Sequence, residues 1–496
     1  MNALYKLEAA ADTGAMNPTL ATPEPLPQAL RLTFAMLMLV LSLAALDQTI
    51  VSTALPTITR ELHGAARMSW VFSAYLIAAT VAVPLYGKLA DLHGTRPVLL
   101  VAVSVFLAGS ALCGLSRDMT ELILARGAQG AGGGGLLTLA MMAVVRSFPP
   151  SARARLQGLL GAVYGLSTMA GPLAGGFIVE HMSWRWAFLI NLPVGLVALV
   201  MLARLMPRQK PMQPGAMDYA GAVLLGAALV CLMLGTCPAE PGAAGYIVLG
   251  LLLGAAFIAV QIRAAQPLLP LSLFAERGFA AASLMSCSTG FTLFAAVVFM
   301  PLFWQTVRGL SPADSGWHSM PLMAGITLGS IACGRMLAMS GRVRPVAMAG
   351  CVVTAIAFVL LGVLLREPGV SLAWVSACLF PLGLGIGVLL PLVTVVAQAS
   401  APLPLMGIAT ASPVMFRSVA GAVGVSAMAA LFQHVAAADG LAVVLQREAA
   451  FRRALFAVFC TAAGVALLTA VASRGLPQRL ARPAAGPGAA PSAVPA

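Results

Sequence analysis

Apolar, uncharged runs about as long as a bilayer is thick recur along almost the whole chain, and that recurrence constrains its fold more than any single motif. A helix needs about 20 apolar residues to cross the hydrocarbon core. Runs of that kind fall at residues 32–54, 69–89, 98–116, 120–145, 157–179, 186–205, 217–236, 246–264, 279–303, 315–338, 345–365, 371–397, 405–432 and 452–473. Only 9% of the 496 residues are charged and 60% are hydrophobic. A soluble protein carries roughly a quarter of its residues as Asp, Glu, Lys or Arg, so a water-covered surface is out of reach. The expected fold class is an all-α polytopic membrane protein with about fourteen transmembrane helices.

The formal net charge of +13 does not point to nucleic acid. The basic residues sit singly or in pairs between apolar runs, with no interleaved aromatics, and only Lys6, Lys88 and Lys210 are lysines. The eight cysteines include no CxxC and have no histidine cluster beside them, which excludes a metal or disulfide framework; they read as small buried residues. With the N-terminus inside, eighteen basic residues fall in cytoplasmic segments and nine outside, while Arg126 and Arg417 lie within spans. That excess satisfies the positive-inside rule and places both termini in the cytoplasm. Residues 1–31 and the Pro/Ala-rich stretch 474–496 are expected to be disordered tails. Residues 1–30 lack an apolar core and the first run is long enough to span, so no cleavable signal peptide is expected.

An internal repeat organises the spans. After the second run the chain reads Gly87-Lys-Leu-Ala-Asp91-Leu-His-Gly94-Thr-Arg96-Pro97. After the tenth it reads Gly334-Arg-Met-Leu-Ala-Met-Ser-Gly341-Arg-Val-Arg344-Pro345, again with two glycines seven apart followed by Arg-Pro. Duplicated halves are a common way to build a secondary transporter. The expected domains are a six-helix bundle over 32–205, two inserted helices with their loops over 206–278, and a second six-helix bundle over 279–473.

Five motifs, in order, carry a resemblance. Leu46-Asp47-x-Thr49-Ile50-Val51 with Ala54-Leu55-Pro56 lies on the first span, and the Gly87–Arg96 segment follows the second. Arg126-x-x-Gln129-Gly130-x-Gly132 lies on the fourth span and Gly171-Pro172-x-x-Gly175-Gly176 on the fifth. Trp184-Arg-Trp-x-Phe188-x-Ile190-Asn191-x-Pro193-x-Gly195 completes the set. From about Leu32 to the last span the chain resembles the fourteen-span drug:proton antiporter branch of the major facilitator superfamily, the EmrB/QacA type. The resemblance implies a bacterial inner-membrane pump that exports lipophilic drugs or metabolites against protons. It implies that Gly87, Asp91, Gly94 and Arg96 form an inside gate, and that Gly171, Pro172, Gly175 and Gly176 form the antiporter motif. Some relatives work with a periplasmic adaptor and an outer-membrane channel, and the resemblance leaves room for such partners.

The residues also speak for themselves. Of sixteen acidic residues only Asp47 lies well inside a span. Inserting a carboxylate there costs about 2.5–3.5 kcal/mol and by default marks a functional site. Low dielectric favours its neutral form, and a nearby cation favours the charged one. Arg126 is the candidate cation, at a similar depth on the fourth span, with Gln129 beside it. The three are expected to form a protonation-dependent group, against the plainer reading of a static ion pair joining two helices. Gly171-Pro172 interrupts the helical hydrogen-bond ladder and suits a pivot or seal, or close packing alone. Tyr75, Tyr164, Phe291, Met300, Phe303 and Trp304 are candidates for an apolar substrate cavity or for ordinary packing and interfacial belt. Arg417 should face the interior or a cavity, where it could favour anionic substrate groups; with no second deep carboxylate, neutral or weakly acidic substrates are favoured. His318 reads as a satisfied polar residue.

No GxxxxGK[ST] phosphate loop is present, and Gly130–Gly135 lies inside a span rather than between a strand and a helix. The expected energy source is the proton motive force, with no cofactor. An importer or metabolite permease on the same scaffold, or a non-transporting membrane receptor, are the alternatives.

Overall fold

The computed structural model describes residues 27–63, 67–207, 217–235, 242–367, 369–437 and 444–479. The two expected tails lie mostly outside these. Within them, residues 28–31 open the first helix, and residues 473–479 fold back so that Val343 donates its N–H to Gln478 at 3.0 Å and Arg344 caps the Leu476 carbonyl at 2.9 Å.

Helices account for nearly everything described. They are α1 (Gln28–Glu61), α2 (Met68–His93), α3 (Thr95–Leu115), α4 (Met119–Ser147), α5 (Pro150–His181), α6 (Trp186–Leu205, a short turn Trp186–Leu189 continued by Asn191–Leu205), α7 (Tyr219–Gly235), α8 (Ala243–Arg263), α9 (Arg277–Thr306), α10 (Pro312–Ser340), α11 (Val343–Arg366), α12 (Leu372–Ala399), α13 (Met406–Ala437) and α14 (Val444–Ala472). Twelve helices among the described residues are long and apolar enough to cross a membrane. The other two are α7, apolar but only 17 residues long, and the 32-residue α5.

Packing follows one scheme used twice. Helix α1 packs on α5, α2 on α4, and α3 on α4 and α6; eight helices later α9 packs on α13, α10 on α12, and α11 on α12 and α14. The two sets meet where α2 lies on α13 and α5 on α10, while α7 and α8 pack on each other and α7 reaches α2 and α13. Separate apolar clusters fill each set: one holds Leu37, Phe106, Leu139 and Leu160, another Phe299, Phe358, Leu382 and Phe459.

The repeat in sequence has a physical meaning. Gly94 (φ 86°) ends α2 and Gly341 (φ 61°) ends α10, a left-handed conformation that glycine adopts without the Cβ clash. Their partners seven residues earlier sit where the sets touch. A Cβ at Gly87 would stand 2.7 Å from the Gly407 carbonyl oxygen on α13, and one at Gly334 2.9 Å from the Ala154 carbonyl oxygen on α5. Among the positions where the copies differ, Asp91 in the first corresponds to Ala338 in the second.

Candidate functional site

Helix α4 brings the central charged group together. Arg126 and Gln129 are three residues apart, so they share a face, and that face meets Asp47 on α1. Arg126 donates to Asp47 Oδ2 at 2.7 Å, and Gln129 Nε2 donates to Oδ1 at 2.7 Å. A third donor, Asn191 Nδ2 on α6, reaches Oδ1 at 2.9 Å. Ser110 on α3 ties the ring shut: its hydroxyl accepts from Gln129 at 3.0 Å and Asn191 at 2.9 Å, and donates to the Phe188 carbonyl at 2.9 Å. Arg126 also bonds Gln129 Oε1 at 2.8 Å and the Val71 carbonyl at 3.3 Å. Asp47 is 0% and Arg126 1% exposed. Four helices thus enclose one carboxylate and one guanidinium, and Arg126, Gln129 and Asn191 all donate to the carboxylate.

Electrostatically the group is neutral, small and dry, and charge-assisted bonds in such surroundings are short and strong.

Tyr75, a candidate for a substrate cavity or for ordinary packing, lies beside this group. Its ring lies 4.2 Å from the Arg126 guanidinium carbon, a cation–π contact, and it is buried. Met300 and Phe303 are likewise not on an open surface: both are fully enclosed between α9 and its neighbours, together with Trp304, because that face of α9 turns toward α12 and α14 rather than away from them. Trp304, a belt candidate from sequence, is therefore core. Its ring stacks near His318 at 5.1 Å, and His318 is satisfied by Ser376 at 2.8 Å. Phe291, Tyr164 and Arg417 keep partial exposure.

A second charged group sits at the Gly94 end. Asp91 pairs with Arg146 of α4 at 2.6 Å and accepts the Gly407 N–H at 2.8 and 3.0 Å and the Ile408 N–H at 3.3 Å. A carboxylate there meets the positive end of the α13 dipole. Arg146 also bonds the Ala90 carbonyl at 2.8 Å. Arg96 bonds the Ala203 carbonyl on α6. Nearby, Gln157 of α5 donates to Gln398 of α12 at 2.8 Å, and Gln398 to Thr410 of α13 at 3.0 Å.

Helix α5 continues without interruption through Gly171 and Pro172. Gly171 lies against Thr49, with no room for a Cβ, two residues along α1 from Asp47. Gly175 is buried on the same helix.

Sequence reasoning grouped Asp47 with Arg126 and Gln129, but did not single out Asn191, Ser110, Arg146 or the two glutamines. Asn191 had a signal, its place in the Trp184–Gly195 motif. Ser110 and Gln157 had none, being lone polar residues in helices with no other mark.

The chain's relatives bear on this geometry. Residues 37–425 match the Major Facilitator Superfamily. A multidrug transporter protein, MdtP of Bacillus subtilis, is 36% identical over 402 residues, covering 80% of this chain and 74% of that protein. An uncharacterized MFS-type transporter of Mycobacterium tuberculosis is 36% identical over 400 residues, 78% of this chain but 57% of that longer protein. The crystal structure of the human organic anion transporter MFSD10 superposes with a TM-score of 0.66 over 90% of this chain and 100% of that one; at 18% identity the likeness concerns the fold alone. The chain therefore belongs to the major facilitator superfamily: it is a multi-pass membrane protein and a secondary transporter, not an enzyme, related to multidrug transporters.

Proposed function

We propose that the chain is a proton-coupled antiporter that exports lipophilic drugs or toxic metabolites across the bacterial cytoplasmic membrane by alternating access. The observation that carries this reading is the sealed group around Asp47. A buried ion pair rarely adds net stability over apolar packing, so a carboxylate kept there at such cost serves a change of protonation better than it serves the fold. Proton entry on Asp47 discharges it, Arg126 falls back on Gln129, Val71 and the Tyr75 ring, and the link between α1 and α4 loosens.

In this reading α5 and α7 also cross the membrane, giving fourteen spans and two cytoplasmic termini, in accord with the excess of basic residues on that side. Helices α1–α6 and α9–α14 rock as two bundles about the inserted α7 and α8. The hydrogen bonds that join the bundles among the described residues, Asp91 to Gly407 and Ile408 and Gln157 to Gln398, lie at the Gly94 end. Taking that end as cytoplasmic, the gate of Gly87, Asp91, Gly94 and Arg96 is shut and the molecule faces outward. The tight fit of Gly171 on Thr49 makes α5 the helix that feels movement of α1. Kinship with a multidrug transporter supports drug-like substrates.

The test is dye export from proteoliposomes under an imposed proton gradient. Asp47→Asn, isosteric but unable to ionise, should lower gradient-driven export by about tenfold or more while leaving the protein folded. Undiminished coupling in that variant ends the proposal.

A further inference from the structure

Lys88 is a buried cation that neither charged group uses. It stands one turn before Asp91 on α2 and is only 2% exposed, and the ion pairs among the described residues involve Arg126, Arg146, Arg185 and Arg452 instead. Its hydrogen bond among those residues is a long one, from Nζ to the Pro267 carbonyl at 3.4 Å. An ammonium has three donors, so two are unspent. The acids of the adjoining elements are engaged elsewhere. Asp91 holds Arg146, Gly407 and Ile408, while Asp218, at the start of α7, accepts the Gly221 N–H at 2.8 Å and the Gln261 amide at 2.6 Å.

Pro267 belongs to the segment 264–276 that joins α8 to α9, and that segment is firmly seated. Gln261 Oε1 on α8 accepts the Leu269 N–H at 3.0 Å, and Leu268, Leu269 and Leu273 are buried. Pro267 and Pro270 fix their own φ angles, and Leu271–Ala275 forms a 3-10 turn. Between this segment, the end of α2 and the turn Leu403–Leu405 before α13 lies a pocket of about 420 Å³, lined by Lys88, Gln266, Pro267, Pro270, Ser272 and Leu405. Lys88 is its buried wall, and the exposed Gln266 and Ser272 form its rim.

A pocket walled by one unspent ammonium, with a hydroxyl and an amide at its rim and no acid among its lining residues, suits an oxyanion, and lysine meets phosphate as a compact point charge. Location selects the source of that phosphate. Helix α8 ends at Arg263, two residues before Ala265, which also lines the pocket, and α8 is the least buried of the twelve spans, with Leu251, Leu252, Ile258 and Ile262 bare. Apolar chains lying along α8 bring their headgroup to the pocket. We infer that the pocket binds the phosphate of an anionic phospholipid from the leaflet at the Gly94 end. Lys88 donates to the phosphate oxygens, Ser272 and Gln266 bond the headgroup, and the acyl chains run along α8. Lys88 belongs to the first bundle, Leu405 to the second and Pro267 to the linker from the insert, so one lipid touches all three. Leu405 stands two residues before Gly407, beside the Asp91 contact.

The test needs no proton gradient, so it stands apart from the antiport reading. Fluorescently labelled phosphatidylglycerol is titrated against the full chain in mixed micelles, followed by anisotropy, and competed with unlabelled phosphatidylglycerol, phosphatidylcholine or inorganic phosphate. Wild type should bind phosphatidylglycerol about tenfold or more tightly than phosphatidylcholine. Lys88→Gln should remove that preference and leave phosphatidylcholine binding unchanged, and Lys88→Arg, which keeps the charge, should retain most of it. Ser272→Asp adds a like charge at an exposed position that the fold does not depend on, and should weaken phosphatidylglycerol alone. Equal binding of the two lipids by wild type overturns the inference, as does unaltered phosphatidylglycerol binding in Lys88→Gln or in Ser272→Asp. Displacement by inorganic phosphate without a preference between the lipids would move the site to a free anion and overturn the lipid assignment; failure of phosphate to displace a preferred phosphatidylglycerol would support it.

Discussion

The Asp91 carboxylate accepts the backbone N–H of Gly407 at 2.8 and 3.0 Å, so the last turn of α2 caps the first turn of α13 across the seam between the two helical sets. A carboxylate at a helix N-terminus is worth about 0.3–1 kcal/mol at an exposed site and more when partly buried. Asp91 is buried and also holds Arg146, so the contact does two things at once: it closes the seam and neutralises a buried guanidinium. The second copy of the repeat has Ala338 in this position, so only one side of the pseudo-symmetric seam carries such a latch.

Asp91→Asn keeps the shape and removes the charge. Stranding Arg146 without a counter-ion should cost about 3–5 kcal/mol. Hydrogen exchange should speed up in the first turn of α13, at Gly407 and Ile408, well before other helices respond. Unchanged protection of those two amides would mean that Asp91 does not hold the seam.

Asn191→Leu withdraws one donor from Asp47 and one from Ser110. Leaving buried acceptors short should cost about 1–3 kcal/mol, visible as earlier thermal unfolding in detergent. Gradient-driven export should fall along with it. Ser110→Ala should be milder, because Gln129 and Asn191 both keep Asp47 as an acceptor.

Gly171→Ala puts a methyl group into Thr49. Overpacking of this kind costs about 1–3 kcal/mol. Adding Thr49→Gly should restore part of the lost stability and export, because it removes the side chain that the new methyl strikes. If the double variant is no better than Gly171→Ala alone, the α1–α5 contact is not where the damage arises.

The Gln157–Gln398 amide pair offers a double-mutant cycle. Gln157→Leu alone leaves Gln398 Oε1 without its 2.8 Å donor and should destabilise by about 1–3 kcal/mol. Gln157→Leu with Gln398→Leu replaces both partners by apolar groups and should lie within about 1 kcal/mol of wild type. Chemical denaturation of Gln157→Leu, Gln398→Leu and the double variant in mixed micelles reads the coupling directly.

The amino-acid order by itself determined the helices, because in hydrocarbon a backbone must satisfy its own hydrogen bonds and an apolar run of sufficient length has no other way to do so. It also marked Asp47 and Arg126, since an ionisable residue in such a run is too costly to be incidental. It marked the glycines at 94 and 341 too, where a turn demands positive φ. What it could not reveal is which face of each helix meets which neighbour. A helix apolar on every side has no polar stripe from which to read its orientation, so Met300 and Phe303 could read as cavity wall as well as the commoner ordinary packing, and only the packing placed them in the core. Asn191, Ser110 and Arg146 lie 144, 63 and 55 residues from their acid partners or along the same ring, separations across which no local pattern operates. Those contacts exist because helices far apart in sequence converge, four of them around Asp47 and others around Asp91, and convergence belongs to the tertiary structure alone.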